Sequence, residues 1–505
     1  MDTYFLGIDN GGTLTKAVLF NAHGQAVASA SARVPMQRPQ PGFTERDMEA
    51  LWQANVAVIR DTVAAAKVPV EAIRGIACTG HGKGLYLWGK DDAPAADGIV
   101  STDGRAWAYA RQWQQDGTAD RVFERTLQTP LACQPVALWR WFQDHRPEVL
   151  ARTRWVFAVK DYIRFRLTGD AYSEITDASG TSLMDLRRAV FDPSVLDAFG
   201  IADIGDKLPP LRGSTELCGR VTATVAALTG LREGTPVAGG MFDIDACAVA
   251  MDVVDERYLC VIAGTWGINE YVSRQPVLDR SIRMNSLFCL PGLYLIEESS
   301  PTSASNYDWF STLFLDPERA QAAARGISLH ALAEEMAATV AHDAQSILFL
   351  PFLYGSNDNP QAKAAFIGLD SAHTRPQLIR AVLEGIVFSH RVHIERLLAN
   401  RTTPPEAIRL AGGAAANRTW AQMFADVIGL PVEIVDAAEL GALGCAMTAA
   451  VATGHCRDLA DAARQMVTVK ERLRPDASKK PVYDRKFARF AKAARALDDL
   501  WNDET

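Results

Sequence analysis

Apolar runs interrupted by glycine mark the start of the chain. Tyr4 to Ile8 is apolar, Asn10-Gly11-Gly12-Thr13 breaks the run, and Lys16 to Phe20 resumes it with Ala17, Val18 and Leu19. Asn-Gly followed by glycine supplies the positive-φ positions of a tight hairpin, so the pattern predicts two antiparallel strands, then a turn over Asn21 to Gln25 and a third strand from Ala26. Leu51, Trp52, Val56, Ile59 and Val63 recur on one helical face behind a candidate cap at Asp47. Ile73 to Cys78 reads as a buried strand running into Thr79-Gly80-His81-Gly82-Lys83-Gly84, where dense glycine lets the backbone come close to a ligand.

Near the middle the pattern begins again. Tyr258 to Ala263 is apolar, Gly264-Thr265 interrupts it, and Trp266 to Val272 continues. The echo of the first hairpin points to an internal duplication: two α/β halves with a cleft between them and a boundary near residue 250. In the second half Thr374 and Gln377 form a capping box ahead of Leu378, Ile379, Val382, Leu383, Ile386 and Val387 at helical spacing. A short strand, Ile408 to Leu410, leads through Ala411-Gly412-Gly413-Ala414-Ala415-Ala416-Asn417 to a helix carrying Trp420, Met423, Phe424 and Val427.

A chain of 505 residues exceeds what one hydrophobic core usually supports. Its 48% hydrophobic and 22% charged residues are those of a globular protein, and its net charge of -8 argues against a surface built to hold nucleic acid. Eight cysteines with no C-x-x-C pair predict free thiols in a reducing compartment. The N-terminal residues lack a signal-peptide pattern and no run reaches the ~18 apolar residues of a membrane span, so a cytoplasmic protein with no membrane partner is expected.

Phosphoryl transfer asks a protein for donors around phosphate oxygens, a carboxylate near a metal ion and a base beside the attacking hydroxyl. Asp9 with Gly11, Gly12 and Thr13 offers backbone N–H groups, a hydroxyl and a carboxylate for Mg²⁺, while Gly264-Thr265 offers a companion turn. Asp243, after Gly239-Gly240-Met241-Phe242, sits where a base could reach a substrate hydroxyl; it also reads as a helix N-cap, and Asp245 is a rival two positions on. The strand, small residues and helix around Gly412, Gly413, Ala414 and Asn417 suit a nucleotide cradle. No G-x-x-x-x-G-K-[ST] occurs, which argues against a P-loop. His390 and His393 have metal-ligand spacing without a completing partner, and the Trp139, Trp141 and Phe142 run reads as core before sugar stacking.

Gly7-Ile8-Asp9-Asn10-Gly11-Gly12-Thr13, Thr79 to Gly84, Ser101-Thr102-Asp103-Gly104-Arg105, Lys160-Asp161-Tyr162 through Thr168-Gly169, Glu174, Thr176-Asp177, Gly239-Gly240 with Asp243, Gly264-Thr265, Leu350 to Gly355, Glu384 to Phe388 and Gly412-Gly413-Ala414 follow one another in an order that resembles the FGGY carbohydrate kinases, nearest the xylulokinase and L-xylulose kinase branch. The resemblance implies two ribonuclease-H-like, actin-type domains around an active-site cleft, 1–248 on the sugar side and 249–505 on the ATP side. It implies ATP and Mg²⁺, Asp243 as general base, Asp9 near the metal, Gly11, Gly12, Thr13, Gly264, Thr265, Gly412, Gly413, Ala414 and Asn417 around the nucleotide, and His81, Gly82, Lys83, Asp103 and Arg105 around the sugar. The expected reaction phosphorylates a pentulose, L- or D-xylulose; ribulose, erythritol, glycerol and 3-keto-L-gulonate are alternative acceptors, a silent sugar sensor or an actin-like ATPase the rival classes, and a homodimer the suggested assembly. The chain departs from the family where Gln134 to Trp141 replaces a Lys-before-Trp-Leu signature and where His81 stands in place of the branch's usual glutamine.

Overall fold

The computed structural model describes residues 2–343, 347–437 and 439–502. The chain forms two compact units: Met1–Val254 with Val272–Ile296 and Ala437–Thr468, and Asp255–Tyr271 with Glu297–Asp436 and Val469–Thr505. Each unit is centred on a mixed sheet, and the two sheets repeat one topology.

In the first unit the strand Tyr4–Asn10 pairs antiparallel with Leu14–Asn21, which pairs antiparallel with Ala26–Arg33. On its other side Tyr4–Asn10 pairs parallel with Ile73–Gly80, followed by parallel Pro236–Ala238 and antiparallel Leu217–Arg220. In the second unit Tyr258–Ala263 pairs antiparallel with Gly267–Ser273 and parallel with Ala407–Gly412; parallel Val432–Val435 and antiparallel Val469–Leu473 complete that side. A hairpin, two parallel strands and an antiparallel edge thus lie in the same spatial order in both sheets, in keeping with the expected duplication, although the edge strand precedes its neighbour in the chain in the first unit and follows it in the second.

Strand alternation explains the layers of the first unit. Leu6 and Ile8 face a core with Leu51, Trp52, Val56 and Ile59 of the helix Met48–Ala66. Asp47 caps that helix as the sequence suggests, accepting from the Ala50 N–H at 2.8 Å, a contact worth ~1 kcal/mol in such positions. The opposite face meets Leu440–Ala452, a helix from far along the chain: a Cβ on Gly7 would lie 1.9 Å from the Ala442 carbonyl oxygen, so glycine is what allows backbone to pack on backbone there.

In the second unit Arg375–Ala399 starts at the predicted capping box, with the Gln377 side chain accepting from the Thr374 N–H at 2.8 Å. Trp139 and Phe142 are core residues, whereas Trp141 lies with its ring 5.0 Å from the Arg105 guanidinium. Among the described residues no helix is long and apolar enough to cross a membrane.

Candidate active site

The first hairpin turn is held by charge. Gly11 and Gly12 are half-buried and Thr13 is exposed at its tip. The Arg46 side chain, 1% exposed, donates to the Gly11 carbonyl at 3.4 Å and to the Gly12 carbonyl, which fixes both peptide planes. Asp9 ends the strand beside Gly441, where a Cβ would stand 2.7 Å from its Oδ2. Burial pushes the Asp9 carboxyl up to about 6; Lys16, which pairs with Glu439 at 2.9 Å, pulls it down and Glu439 pushes it up.

Asp243 is half-buried at the first position of the helix Asp243–Ala250, whose N-cap is Phe242. The preceding strap is hydrogen-bonded at every residue from Gly239 to Phe242. The Gly239 N–H donates to the Glu216 carbonyl at 2.9 Å and its own carbonyl accepts from Arg164 at 2.8 Å. The Gly240 N–H donates to the Ser214 carbonyl at 3.0 Å, Met241 accepts from the Thr79 hydroxyl at 2.7 Å, and the Phe242 N–H donates to Thr176 Oγ1 at 2.8 Å. Gly240 has φ +78°, and a Cβ there would meet the Cys78 carbonyl oxygen at 1.9 Å, so only glycine closes this turn. The Asp243 carboxyl is held well above the usual carboxylate range by burial first, then by Asp9 and Asp177, against the pull of Lys83. Asp245, the rival in sequence, is fully buried and accepts from the Cys289 N–H at 3.1 Å.

The loop after Ile73–Gly80 delivers a cation to the same place. Lys83 has φ +63°, and its Nζ lies 5.7 Å from the centre of the Phe242 ring. A Cβ on Gly82 would come within 2.4 Å of that ring, so glycine lets loop and ring touch. His81 is buried and braces the loop through Tyr86 Oη at 3.0 Å and the Gly82 carbonyl at 3.2 Å; burial, with Arg46 nearby, pushes its pKa down to about 3 and keeps the ring neutral.

Asp103 and Arg105 form a separate cluster in which they satisfy each other. Asp103 accepts from Arg105 Nε at 2.9 Å and Nη2 at 2.8 Å, and from the backbone N–H groups of Thr44 at 2.7 Å and Arg105 at 2.9 Å. Arg105 also pairs with Glu45 at 2.8 Å and stacks 4.1 Å from the Phe43 ring centre. Sequence reasoning did not pick out Arg46 or Phe242; an arginine and a phenylalanine beside glycines carry no local signal of this kind.

In the second unit Gly264, Thr265, Gly412, Gly413 and Ala414 come together. Ala263 and Gly412 are register partners, and Gly412, at φ +83°, would place a Cβ 2.4 Å from the Ala263 carbonyl oxygen. The turn is held by neutral groups: the Ala304 N–H donates to the Gly264 carbonyl at 2.8 Å and Ser305 Oγ to the Thr265 carbonyl at 3.1 Å. Asn417 caps Arg418–Ile428, its Oδ1 accepting from the Trp420 N–H at 2.8 Å. His390 bridges Asn269 at 2.7 Å and Ser303 at 2.8 Å, and His393 pairs with Glu298 at 2.9 Å.

Asp9 raises the proton affinity of Asp243, and two such carboxylates form a donor set that a divalent cation fits, because its charge relieves the repulsion. A carboxylate of raised basicity beside a lysine, with glycine turns exposing N–H groups, is suited to proton abstraction from a hydroxyl next to a bound phosphate.

Two family models match the chain: the N-terminal domain of the FGGY family of carbohydrate kinases over residues 4–250, and its C-terminal domain over residues 259–453. The sequence is 36% identical over 499 residues to the L-xylulose/3-keto-L-gulonate kinase of Escherichia coli strain K12, covering 98% of each chain. It is 34% identical to a probable L-xylulose kinase of Pasteurella multocida, covering 98% of this chain and 99% of that one. The fold matches the xylulose kinase structure from Lactobacillus acidophilus with a TM-score of 0.90 at 24% identity over the full length of both chains.

Proposed function

Since the chain belongs to the FGGY family of carbohydrate kinases, we propose that it transfers the γ-phosphoryl group of ATP to a hydroxyl of a pentulose, L- or D-xylulose, giving the sugar phosphate and ADP. The observation that carries this reading is the Asp243 carboxyl: half-buried, raised in pKa by burial and by Asp9 and Asp177, and presented by a strap hydrogen-bonded at every residue from Gly239 to Phe242. In the reaction Asp243 accepts the proton of the attacking sugar hydroxyl. Gly11, Gly12 and Thr13 in residues 1–248, and Gly264, Thr265, Gly412, Gly413 and Ala414 in residues 249–505, offer N–H and hydroxyl donors to the phosphates, while Asn417 shapes the helix start behind them.

Asp9 would hold a Mg²⁺ ion, which when bound neutralises phosphate charge. His81 and Gly82 shape the sugar side, and Lys83 places a cation there. Asp103 and Arg105 act there as a preformed pair, since their hydrogen bonds are spent on each other and on Thr44. The cysteines, six of the eight buried, support a reducing, cytoplasmic setting. Lys83 also favours a second acceptor class, a keto sugar acid such as 3-keto-L-gulonate, whose carboxylate it would attract.

ADP release measured across D- and L-xylulose, ribulose, erythritol, glycerol and 3-keto-L-gulonate tests the substrate assignment. Sugar-dependent turnover that falls by about 10²- to 10⁴-fold in Asp243→Asn, with ATP still bound, is the expected result. Equal ATP hydrolysis with and without sugar would overturn it.

A further inference from the structure

The segment Lys160–Thr168, with Glu174 and Thr176, is a part of the sequence pattern to which the proposed reaction gives no role, and Asp177 enters it only through its charge beside Asp243. Lys160 is 0% exposed, and its ammonium group contacts three carboxylates, Asp161 at 2.9 Å, Glu174 at 3.1 Å and Asp177 at 3.0 Å. Asp161 also binds Arg164 at 2.7 Å, and Arg164 is the donor to the Gly239 carbonyl. Burying five charges is costly, and cations and anions so placed define one geometry rather than add much stability.

The hydrogen-bond directions in this cluster are determined. Glu174, beside the Lys160 ammonium at 3.1 Å, accepts from the Thr176 hydroxyl at 2.7 Å, from Ser214 Oγ at 2.6 Å and from the Thr176 N–H at 3.1 Å. The one hydroxyl proton of Thr176 is thereby committed to Glu174. Its lone pair is left facing the Phe242 N–H, which donates to it at 2.8 Å. Phe242 is the N-cap of the helix whose first residue is Asp243.

We propose that Thr176 is a positioning residue for the base: Lys160 pairs with Glu174, Glu174 orients the Thr176 hydroxyl, and that hydroxyl fixes the Phe242 peptide and with it the direction of the Asp243 carboxylate. The inference rests on the assignment of Asp243 as the base. A misplacement of about 1 Å at such a group costs on the order of 10²-fold in rate.

The test uses the full-length protein, with ATP and L-xylulose or the best acceptor of the panel. Thr176→Val, which keeps the shape and removes the hydroxyl, is expected to lower kcat on the order of 10²-fold while the KM for ATP stays within about threefold. Thr176→Ser, which restores the hydroxyl, is expected to recover kcat to within about fivefold of the unmodified protein. A normal kcat in Thr176→Val, or equal impairment of the serine and valine variants, would overturn the inference. Should Thr176→Val fail to fold, Ser214→Ala carries the test through Glu174: a several-fold drop in kcat at unchanged ATP KM supports the relay, and no drop overturns it. Asp243→Asn separates the two claims. If it stays active, the base assignment fails and this inference with it; if it is inactive while Thr176→Val is normal, only the positioning role fails.

Discussion

The two hairpin turns stand at the same place in the same sheet topology, yet the protein holds them by different physics. Around the first, the supports are charges: buried Arg46 on the Gly11 and Gly12 carbonyls, the half-buried Lys16 and Glu439 beside Asp9, and the buried Lys160 cluster behind the Gly239–Phe242 strap. Around the second they are neutral: Ser305 on Thr265, a backbone N–H on Gly264, and His390 between Asn269 and Ser303, its pKa pushed down to about 3 mainly by burial. Buried charge in the second unit lies elsewhere, where Lys486 and Arg380 meet Glu384. A charged support holds direction tightly in a dry site, which suits a carboxylate that must point at one hydroxyl. Neutral donors suffice for a turn whose own N–H groups would face phosphate under the proposed division, and they add no anion that would repel it.

Lys160→Met attacks the contrast most directly, because it takes the ammonium away from Glu174 and Asp177 and leaves Arg164 on Asp161 as the cluster's one remaining cation. A loss of about 3–5 kcal/mol in denaturant unfolding is expected. A loss under about 1 kcal/mol would mean that the charges do not scaffold the first unit. Gly240→Ala and Gly412→Ala form a matched pair next in size, since both glycines have positive φ and both would drive a Cβ into a carbonyl oxygen, at 1.9 and 2.4 Å. Each should lose about 1–3 kcal/mol from backbone strain before the clash is counted. The first should also depress kcat and the second raise the KM for ATP, and the reverse assignment would contradict the division of labour.

Which of this is legible in the sequence follows from how local each cause is. The hairpins are visible because glycine between apolar runs is a property of neighbouring residues, and the helix at Arg375–Ala399 because its capping box spans Thr374 to Gln377. That Ala437–Thr468 folds with the first unit is not visible. It depends on Gly7 meeting Ala442, a contact that no pattern in either segment announces. Lys160 next to Asp161 on an amphipathic helix looks like an exposed face until Glu174 and Asp177 arrive to neutralise it. Asp243 and Asp245 are indistinguishable as letters; burial separates them, one half-exposed and one closed in and accepting from Cys289.

Smaller effects sharpen the comparison at the turns themselves. Arg46→Met removes charge-assisted hydrogen bonds of about 1.5–3 kcal/mol, so the KM for ATP should rise roughly 10-fold or more. Ser305→Ala removes one exposed neutral bond and should change it by about threefold or less. Similar shifts in the two variants would erase the distinction between charged and neutral support.

The weakest effect at neutral pH is the most diagnostic of sign. Burial, outweighing the pull of Lys160 and aided by Asp161 and Glu174, pushes Asp177 up to about 7, because the cluster holds three carboxylates against two cations. Between the ordinary value of 3.8 and about 7 the folded state then binds more protons than the unfolded chain, so this contribution to stability is present at low pH and lost as pH rises toward 7. His390 moves the opposite way. Its folded pKa of about 3 lies below the ordinary 6.5, so the unfolded chain binds the proton first, and its contribution is lost as pH falls below about 6.5. His81 shares the sign of His390, and Asp9 that of Asp177, so the profile of the whole protein mixes them. Difference profiles isolate each group: Asp177→Asn should gain stability relative to the unmodified protein as pH rises from about 4 to 7, while His390→Gln should gain as pH falls from about 6.5 to 4. Parallel slopes for the two variants would show that the two turns are not held by opposite electrostatics after all.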